Sequence, residues 1–482
     1  MKKLWIAVGL CALLFAVPAA LFAFPSVYPT GTTIYKPDKA QSGYTVYATE
    51  VEGEGSVLID MNGNVVKQWK NMSNLDHPVK ILKGGYIMGA TREKPEHVGR
   101  EWKHPESTDL SIMDWNGKIV WSFPKAGMHH DFQLPGNPVG YWVPGMPMTL
   151  NTDKVLILSH KMVKNPRISD KLLEDDYLVE VDSKGNIVWE YLYSNTKDFN
   201  AMGFTEEDKN TMYKWPNFAA TRIKGTQGGD WTHINCASYI GPNKWYDQDP
   251  VKYHMFHPDN IISDGRQTNT IEIIDHKTKQ RVYQIGPYYA PDTKWVFAGK
   301  EYPNAYKRLD WIIGLHHSHM IPKGLPGEGN LLIYDNGGRG GYGAPNPGSP
   351  NGLNNAIRDS SRVIEIDPTT LRIVWEYSGR TMGYRDEYKV YSAYVSSAQR
   401  LPNGNTLVTN GSVGQFVEVT PDLEIVWEYI SPYFNETGKY NLVYRAYRVP
   451  YDYIPQLQKP VETAVLPPDN SKLRIKDIKA VK

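Results

Sequence analysis

The feature that most constrains the fold is a hairpin pattern that occurs six times along the chain. In each copy, a run of alternating β-branched residues reaches an Asp or Thr, a tight turn follows, and a second short run ends on an aromatic residue. Asn62-Gly63, Asn116-Gly117 and Lys184-Gly185 supply the positive φ that such turns require. The closing aromatic residues are Trp69, Trp121, Trp189, Tyr283, Trp375 and Trp427.

A second hairpin, made of two apolar runs around a Pro, Gly or Asn turn, lies between these copies. Residues 401–408 are the clearest case, and residues 79–88 and 320–334 show the same order. Two hairpins per repeat make a four-stranded antiparallel sheet, and radial repetition of such sheets gives a β-propeller. The sequence therefore predicts an all-β fold, a six-bladed β-propeller of four-stranded antiparallel blades.

The repeat spacing is uneven, which predicts long loop insertions. Trp69 and Trp121 are 52 positions apart, whereas Trp189 and Tyr283 are 94 apart, and about 50 residues suffice for one blade. We place insertions at residues 190–230 and 337–360, and Thr205-Glu-Glu-Asp predicts a short helix in the first. The predicted domain bounds are a signal segment at 1–24, an N-terminal extension or strand at 25–50, the propeller at 51–456 and a C-terminal tail at 457–482. We expect residues 429–455 and 44–49 to close the ring.

The N-terminus predicts export. Lys2 and Lys3 precede an apolar stretch from Leu4 to Leu21, which is typical of a secretory signal. The stretch is nearly long enough to cross a bilayer, so an uncleaved membrane anchor is the alternative. Either interpretation makes the protein periplasmic or otherwise exported. After this segment one cysteine, Cys236, is left, so no intramolecular disulfide can form.

Charge and motif content exclude several classes of partner. Lys and Arg number 53 against 52 Asp and Glu, a net charge of +1 without a basic stripe, which argues against a nucleic-acid partner. The chain has no Gly-rich phosphate loop and no dinucleotide fingerprint, so we expect no cofactor and no nucleotide donor. The expected partners are small molecules. A membrane is a partner only if the N-terminal segment stays uncleaved, and a homodimer is left open.

Histidines cluster in three short segments, each leading into a predicted inner hairpin. They are His129-His130-Asp131, Thr232-His233-Ile234-Asn235 and His316-His317-Ser318-His319. His129 lies six residues before Pro135 and His316 six before Pro322, and equivalent positions of different blades converge on the central channel of a propeller. His317 and His319 share one face of a strand, and His316 and Ser318 share the other. A histidine metal site is the competing chemistry, but no paired ligand motif supports it, so we predict no metal.

Two arginines near these segments suit an anionic substrate, because a guanidinium binds sulfate or phosphate oxygens in a bidentate way. Arg266 ends a strand in the repeat of His233. Arg339 follows Asp335-Asn336-Gly337-Gly338 in the repeat of His316.

These segments together resemble the bacterial arylsulfate sulfotransferase family, from about residue 35 to 456. The most specific stretches are Gly229-Asp-Trp-Thr-His-Ile-Asn235, residues 316–337, Gln399-Arg-Leu-Pro-Asn-Gly-Asn-Thr-Leu407 and Val443-Tyr-Arg-Ala-Tyr-Arg-Val-Pro-Tyr451. The resemblance implies a six-bladed propeller that moves a sulfuryl group from an aryl sulfate to a phenol without a nucleotide donor. It also implies ping-pong kinetics and a transiently sulfated histidine. A separate N-terminal domain, which some members carry, is not seen in the sequence.

The resemblance assigns roles by position. His316 matches the nucleophile, with His317 as its rival because the usual Gln-His is here Leu315-His316-His317. His233, Asn235 and Arg266 match the sulfate-binding residues. His130 matches a further channel histidine, with His129 as the fallback; His130 or His317 would act as acid and base. Two alternatives stay open: an aryl sulfate hydrolase that uses the same site, and a non-catalytic propeller that binds a ligand.

Overall fold

The hairpin pattern is realised as short strands throughout the chain. The structure is a computed structural model that describes residues 30–49, 51, 53–72, 77–92, 108–123, 128–145, 150–195, 202–218, 228–289, 294–297, 300–303, 312–435 and 438–467. The predicted signal segment at 1–24 and the last part of the predicted tail lie outside the described residues. Within the described ranges, no helix is both long enough and apolar enough to cross a membrane.

The strands are numbered in chain order. They begin with β1 Gly31–Tyr35, β2 Tyr44–Ala48, β3 Ser56–Ile59, β4 Val65–Trp69, β5 Lys80–Leu82, β6 Tyr86–Arg92, β7 Thr108–Met113, β8 Ile119–Phe123, β9 Met128–Gln133, β10 Val155–Lys164, β11 Leu172–Val181, β12 Ile187–Leu192, β13 Ile234–Tyr239, β14 Ile261–Gly265, β15 Thr270–Ile274 and β16 Arg281–Ile285. They continue with β17 Lys294–Phe297, β18 Lys300–Pro303, β19 His316–Met320, β20 Leu331–Asp335, β21 Gly340–Tyr342, β22 Leu353–Ala356, β23 Arg362–Ile366, β24 Ile373–Ser378, β25 Ser397–Arg400, β26 Thr406–Asn410, β27 Gln415–Val419, β28 Ile425–Ile430 and β29 Ala446–Val449. The α-helices of the described part are α1 Glu206–Lys214 and α2 Lys244–Gln248.

Among the described residues, the strands build six antiparallel blades arranged in a ring. The blades, from inner to outer strand, are β29-β2-β3-β4, β5-β6-β7-β8, β9-β10-β11-β12, β13-β14-β15-β16, β19-β20-β23-β24 and β25-β26-β27-β28. The predicted six-bladed β-propeller is thus confirmed. The predicted insertion at 337–360 contains the hairpin β21-β22, and a further hairpin, β17-β18, lies between the fourth and fifth blades. In the insertion at 190–230, α1 begins after the predicted cap Thr205, whose hydroxyl accepts from the Asp208 N–H.

Both ends of the chain close the ring. β29 pairs with β2, with Tyr44 opposite Val449, which confirms the expected closure by residues 429–455 and 44–49. β1 adds to β28 as a fifth strand of the sixth blade. Beyond the expected strand at 44–49, the structure also includes β1, from the predicted N-terminal extension at 25–50, in a blade. The pairing of β1 with β28 joins residues almost 400 positions apart, which local sequence patterning does not show.

The repeated turn and the repeated aromatic residue have separate structural roles. Asp60 accepts from the backbone and the side chain of Asn64, which fixes the turn around Gly63, whose φ is 84°. The indole of Trp69 donates to the Asp114 carbonyl, and the indole of Trp427 donates to the Met61 carbonyl, each in the turn of the next blade. Tyr283, which replaces Trp in the fourth copy, donates in the same way to Pro368. These closing aromatic residues therefore fasten their blades to the neighbouring ones.

Candidate active site

The structure brings most of the nominated residues to the innermost strands of three consecutive blades. His129 and His130 lie on β9. Asn235 lies on β13, which begins directly after His233, and the four residues 316–319 begin β19. Arg266 follows β14, and its backbone N–H donates to the His233 carbonyl at 2.9 Å. All the histidines of these segments are buried. The convergence of equivalent repeat positions on the channel, expected from the sequence, is therefore present.

A recurrent backbone distortion aims these side chains. His130 and His317, each five residues before a proline, have φ values of 58° and 53°, and His233 has 50°. The ladder register shifts within each of the three inner strand pairs, as in a β-bulge. Positive φ at residues other than glycine costs energy and is concentrated at functional sites. The backbone is thus bent where the histidines stand.

His316 has a defined tautomer. Its Nδ1 lies 2.7 Å from Asn336 Oδ1 and 3.1 Å from the Gly314 carbonyl, both acceptors, so Nδ1 carries the proton. Its Nε2 accepts the N–H of Val395 at 3.1 Å, so the lone pair is on Nε2. Burial first, and then the charge of Arg266, hold the pKa of His316 well below 6.5. His316 is therefore a neutral imidazole at pH 7, as nucleophilic attack requires.

Arg266 and His233 define the electrostatic environment of His316 on one side. The charges of Arg266 and His233 both act on its ring. Asp230 anchors His233 twice, through Nδ1 at 2.5 Å and through the backbone N–H at 3.0 Å. The ring of His130 lies 5.1 Å from that of His233 and stacks on Tyr444 at 5.4 Å. These positively charged and hydrogen-bonding groups can hold the oxygens of a bound oxyanion.

Asn235 is buried between the fourth and fifth blades. Its side-chain N–H donates at 2.9 Å to the carbonyl of Leu315, the residue before His316. Its Oδ1 has no hydrogen-bond partner in the described part of the structure. One amide hydrogen thus fixes the strand that carries His316.

His317 faces a different environment. Its Nδ1 accepts the N–H of Ala398 at 3.3 Å, so Nε2 carries the proton and donates towards the Tyr447 hydroxyl at 3.4 Å. Its ring lies 4.5 Å from that of His319, as the shared strand face predicts. Burial, followed by the charge of Arg445, lowers its pKa well below 6.5. His317 therefore belongs with His319 and Arg445, away from the group around Arg266.

His129 stands beside a buried acidic cluster that the sequence analysis did not identify. Its Nε2 and that of His160 lie 3.1 Å and 3.6 Å from Asp176 Oδ1, and the ligand atoms of the three residues lie within 4.8 Å of one another. The two rings are stacked 3.6 Å apart and parallel within 6°. Burial, followed by Asp230, raises the pKa of Asp176 well above 3.8. The signal for this cluster in the sequence is Glu174-Asp175-Asp176, three acids within one strand.

The same acidic residues position the segment before β13. Asp175 accepts from the indole of Trp231 at 2.7 Å, and Asp176 accepts from the Thr232 hydroxyl and from the Ile234 N–H at 3.0 Å. His233 is therefore held in place from the neighbouring blade.

A buried ion triad between the inner strands of three blades is a second group that the sequence analysis did not identify. Asp131 accepts from Lys80 Nζ and from Arg445 Nη1, each at 2.9 Å, and all three side chains are buried. Arg445 also donates to the Asn235 carbonyl at 2.6 Å. The triad joins the second, third and first blades. Its sequence signals were the Asp of His129-His130-Asp131 and the Arg of the stretch 443–451.

Arg339 is not brought to this group. It precedes β21 in the second insertion, and its side chain is exposed. Within the described ranges, no contact joins it to the buried histidines, so Arg266 is the arginine that the structure places beside His316.

Comparisons with known proteins give one family and several distant structures. Residues 147–439 match the family model described as Arylsulfotransferase (ASST). No curated protein matches the sequence significantly. Among solved structures, the chain is similar to a protein of unknown function from Bacteroides caccae at 11% identity and a TM-score of 0.42, over 85% of this chain and 99% of that one. It is also similar to a periplasmic gluconolactonase from Pseudomonas aeruginosa at 10% identity and a TM-score of 0.38, over 85% and 100% of the two chains. TM-scores this low support no inference about the function of this chain.

The family match covers more than half of the 482 residues and includes His233, Asn235, Arg266 and His316. It supports a sulfotransferase, and so a transferase, in general terms. The chain therefore belongs to the arylsulfotransferase (ASST) family.

Proposed function

We propose that this protein transfers a sulfuryl group from an aryl sulfate to a phenol through a covalent sulfohistidine on His316. The observation that carries the proposal is a neutral, buried imidazole whose lone pair is on Nε2, beside the charge of Arg266. A neutral nitrogen can attack sulfur, and a nearby guanidinium attracts the anionic sulfate that contains this sulfur.

In the first half-reaction, the lone pair of Nε2 forms a bond to sulfur while the bond between sulfur and the aryl oxygen breaks. The electron pair of that bond leaves with the phenolate. The sulfuryl oxygens keep their negative charge throughout, and we assign Arg266, His233 and Asn235 as the donors that stabilise it. In the second half-reaction a phenol oxygen attacks the same sulfur, and the N–S bond breaks back to neutral His316.

Proton transfer needs a separate group. A phenol has a pKa of about 10, so the leaving oxygen takes up a proton at neutral pH and the incoming phenol gives one up. We assign this role to His130, because its ring lies 5.1 Å from that of His233, on the side of the anion-binding groups. His317 is the weaker candidate because it faces Tyr447 and Arg445.

The test is p-nitrophenol release from p-nitrophenyl sulfate, with and without added phenol, by the wild type, His316→Ala and the matched control His317→Ala. We expect phenol-dependent release that His316→Ala abolishes and His317→Ala retains. We also expect one sulfuryl group on the wild-type protein, detected by intact mass without acceptor. Release that persists in His316→Ala contradicts the assignment of the nucleophile. Turnover that water alone sustains indicates a hydrolase, and binding of aryl sulfate without turnover indicates a non-catalytic propeller.

The physiological setting is part of the same proposal. An exported enzyme that uses aryl sulfates needs no nucleotide donor, which agrees with the lack of a phosphate-binding motif in the sequence. Detection of the mature protein in the periplasmic or secreted fraction, and the mass of its N-terminus, test export and cleavage.

A further inference from the structure

The residue opposite the attacking nitrogen of His316 is the amide of Asn336, which directly follows β20. The side chain of Asn336 is fully buried. Its Nδ2 donates to two carbonyls, of Ser392 at 2.7 Å and of Val395 at 2.9 Å. Because both carbonyls can only accept, the amide orientation is fixed, and Oδ1 must face the imidazole. Asn336 thereby determines that Nδ1 of His316 carries the proton and that Nε2 is the nucleophilic atom.

The segment that Asn336 holds, residues 392–396, covers the nucleophile. Val395 has φ 55° and Ser396 has φ 92°, and the left-handed region is strongly unfavourable for a β-branched residue such as Val. This conformation places the Val395 N–H 3.1 Å from Nε2. Strain of this kind persists where surrounding contacts impose it, and here Asn336 supplies two of them.

We propose that Asn336 is a positioning residue that sets the tautomer of His316 and holds the Val395 N–H over the attacking nitrogen. This inference rests on the proposed function. The single lone pair of Nε2 cannot serve the Val395 N–H and sulfur together, so this N–H must leave Nε2 as the N–S bond forms. The sulfuryl oxygens arrive at the same moment as new acceptors, and we expect the N–H to pass to one of them. One amide thus prepares the nucleophile and supplies a donor for the intermediate.

The choice of an amide has a chemical reason. A carboxylate at this position would favour the imidazolium form of His316, which has no lone pair for attack. The amide orients the ring and leaves it neutral. This separates the role of Asn336 from that of Asp230, which contacts Nδ1 of His233 with a carboxylate.

The experiment compares Asn336→Ala, Asn336→Asp and the control Ser361→Ala. Ser361 supports the same segment, since its hydroxyl donates to the Asn336 carbonyl at 2.6 Å and accepts the Ser392 N–H at 2.8 Å, but it does not touch the imidazole. Two measurements are made on each full-length protein. One is the rate of p-nitrophenol release in the first turnover as a function of pH. The other is the tautomer of His316 by ¹⁵N-histidine NMR, assigned with His316→Gln.

For Asn336→Ala we expect a mixed tautomer and a first-turnover rate that falls by about 10- to 100-fold, the loss of one buried hydrogen bond to the reacting group, with KM within about threefold. For Asn336→Asp we expect a rate that rises with pH between about 6 and 8, because a carboxylate raises the pKa of the ring. The rate of the wild type should not change over the same pH range. Ser361→Ala should keep the wild-type tautomer and pH profile.

A wild-type tautomer in Asn336→Ala, with a rate no lower than that of Ser361→Ala, would overturn the proposal, since Gly314 alone would then hold the Nδ1 proton. A flat pH profile in a folded Asn336→Asp would overturn it as well. If the wild type releases no phenol with any acceptor, the proposed function fails, and the NMR measurement still tests the tautomer.

Discussion

Asp131 offers the sharpest test of how the channel is held together, through the change Asp131→Asn. The carboxylate compensates two buried cations, Lys80 and Arg445. Burial alone would raise the pKa of Asp131, but Arg445 and Lys80 outweigh it and hold the pKa below 3.8. The side chain is therefore fully ionised at neutral pH. Its substitution removes the charge that forms both ion pairs.

The two cations respond differently to this loss. Burial already lowers the pKa of Lys80 to about 8, so Lys80 can give up its proton. Arg445 cannot do so, and an unpaired buried charge costs about 3–5 kcal/mol. For 482 residues, an unfolding entropy of about 2.1 cal/mol/K per residue gives about 1 kcal/mol/K. We therefore expect the Tm of Asp131→Asn to fall by about 3–5 °C.

The matched control is Glu424→Gln. Glu424 also lies between two lysines, Lys36 at 2.6 Å and Lys39 at 2.7 Å, but all three side chains are at least 31% exposed. The hydrogen bond from Lys36 is the main reason that the pKa of Glu424 is lowered to about 2, yet solvent screens such pairs. The Tm of Glu424→Gln should therefore match that of the wild type. At one fixed scan rate in calorimetry, Asp131→Asn/Arg445→Met should recover most of the loss. A decrease under 1 °C for Asp131→Asn, or an equal one for Glu424→Gln, would refute the reasoning.

Three further outcomes follow from the site. Because burial and Arg266 hold the pKa of His316 well below 6.5, the first-turnover rate should not change between pH 6 and 8; a rise with an apparent pKa near 6.5 would mean that the ring is protonated at rest. Asp230→Asn should lower kcat/KM for p-nitrophenyl sulfate about tenfold, the cost of about one charged hydrogen bond to His233; unchanged kinetics would show that this anchor is dispensable. Arg339→Ala should leave kcat/KM within about twofold, since its side chain is exposed; a loss like that of Arg266→Ala would place it at the substrate.

The parts of the fold that the sequence predicts are those set by local chemistry. The Asp and Gly of each turn and the closing aromatic residue recur because each blade needs them to fold and to attach to the next. The capping residue Thr205 predicted α1 for the same reason. The pairing of β1 with β28 was not predicted, because it joins strands from opposite ends of the chain and pairing at that distance leaves no local periodicity.

The site residues also separate into those that local sequence predicts and those that only the fold brings together. Histidine spacing relative to Pro135 and Pro322 predicted that the histidine segments lie on inner strands, since these strands repeat the same register. It did not predict which side chain meets which group, because His129 and His316 share that spacing and have different neighbours. The partners of those histidines were not predicted. Asn336 lies three positions before Arg339 in the sequence, yet its side chain contacts a segment about 60 positions later. Asp176 and Arg445 reach their histidine and carboxylate partners from other blades.

His233 and His316 show how one channel can give the same side chain different chemistry. His233 has a carboxylate at Nδ1, which suits a residue that donates to an anion, whereas His316 has an amide there. Paired environments of this kind separate the roles of chemically identical groups. Exchange of the two partners, with a carboxylate at position 336 and an amide at position 230, should therefore impair catalysis more than either change does alone. Each histidine would then have the partner suited to the other role.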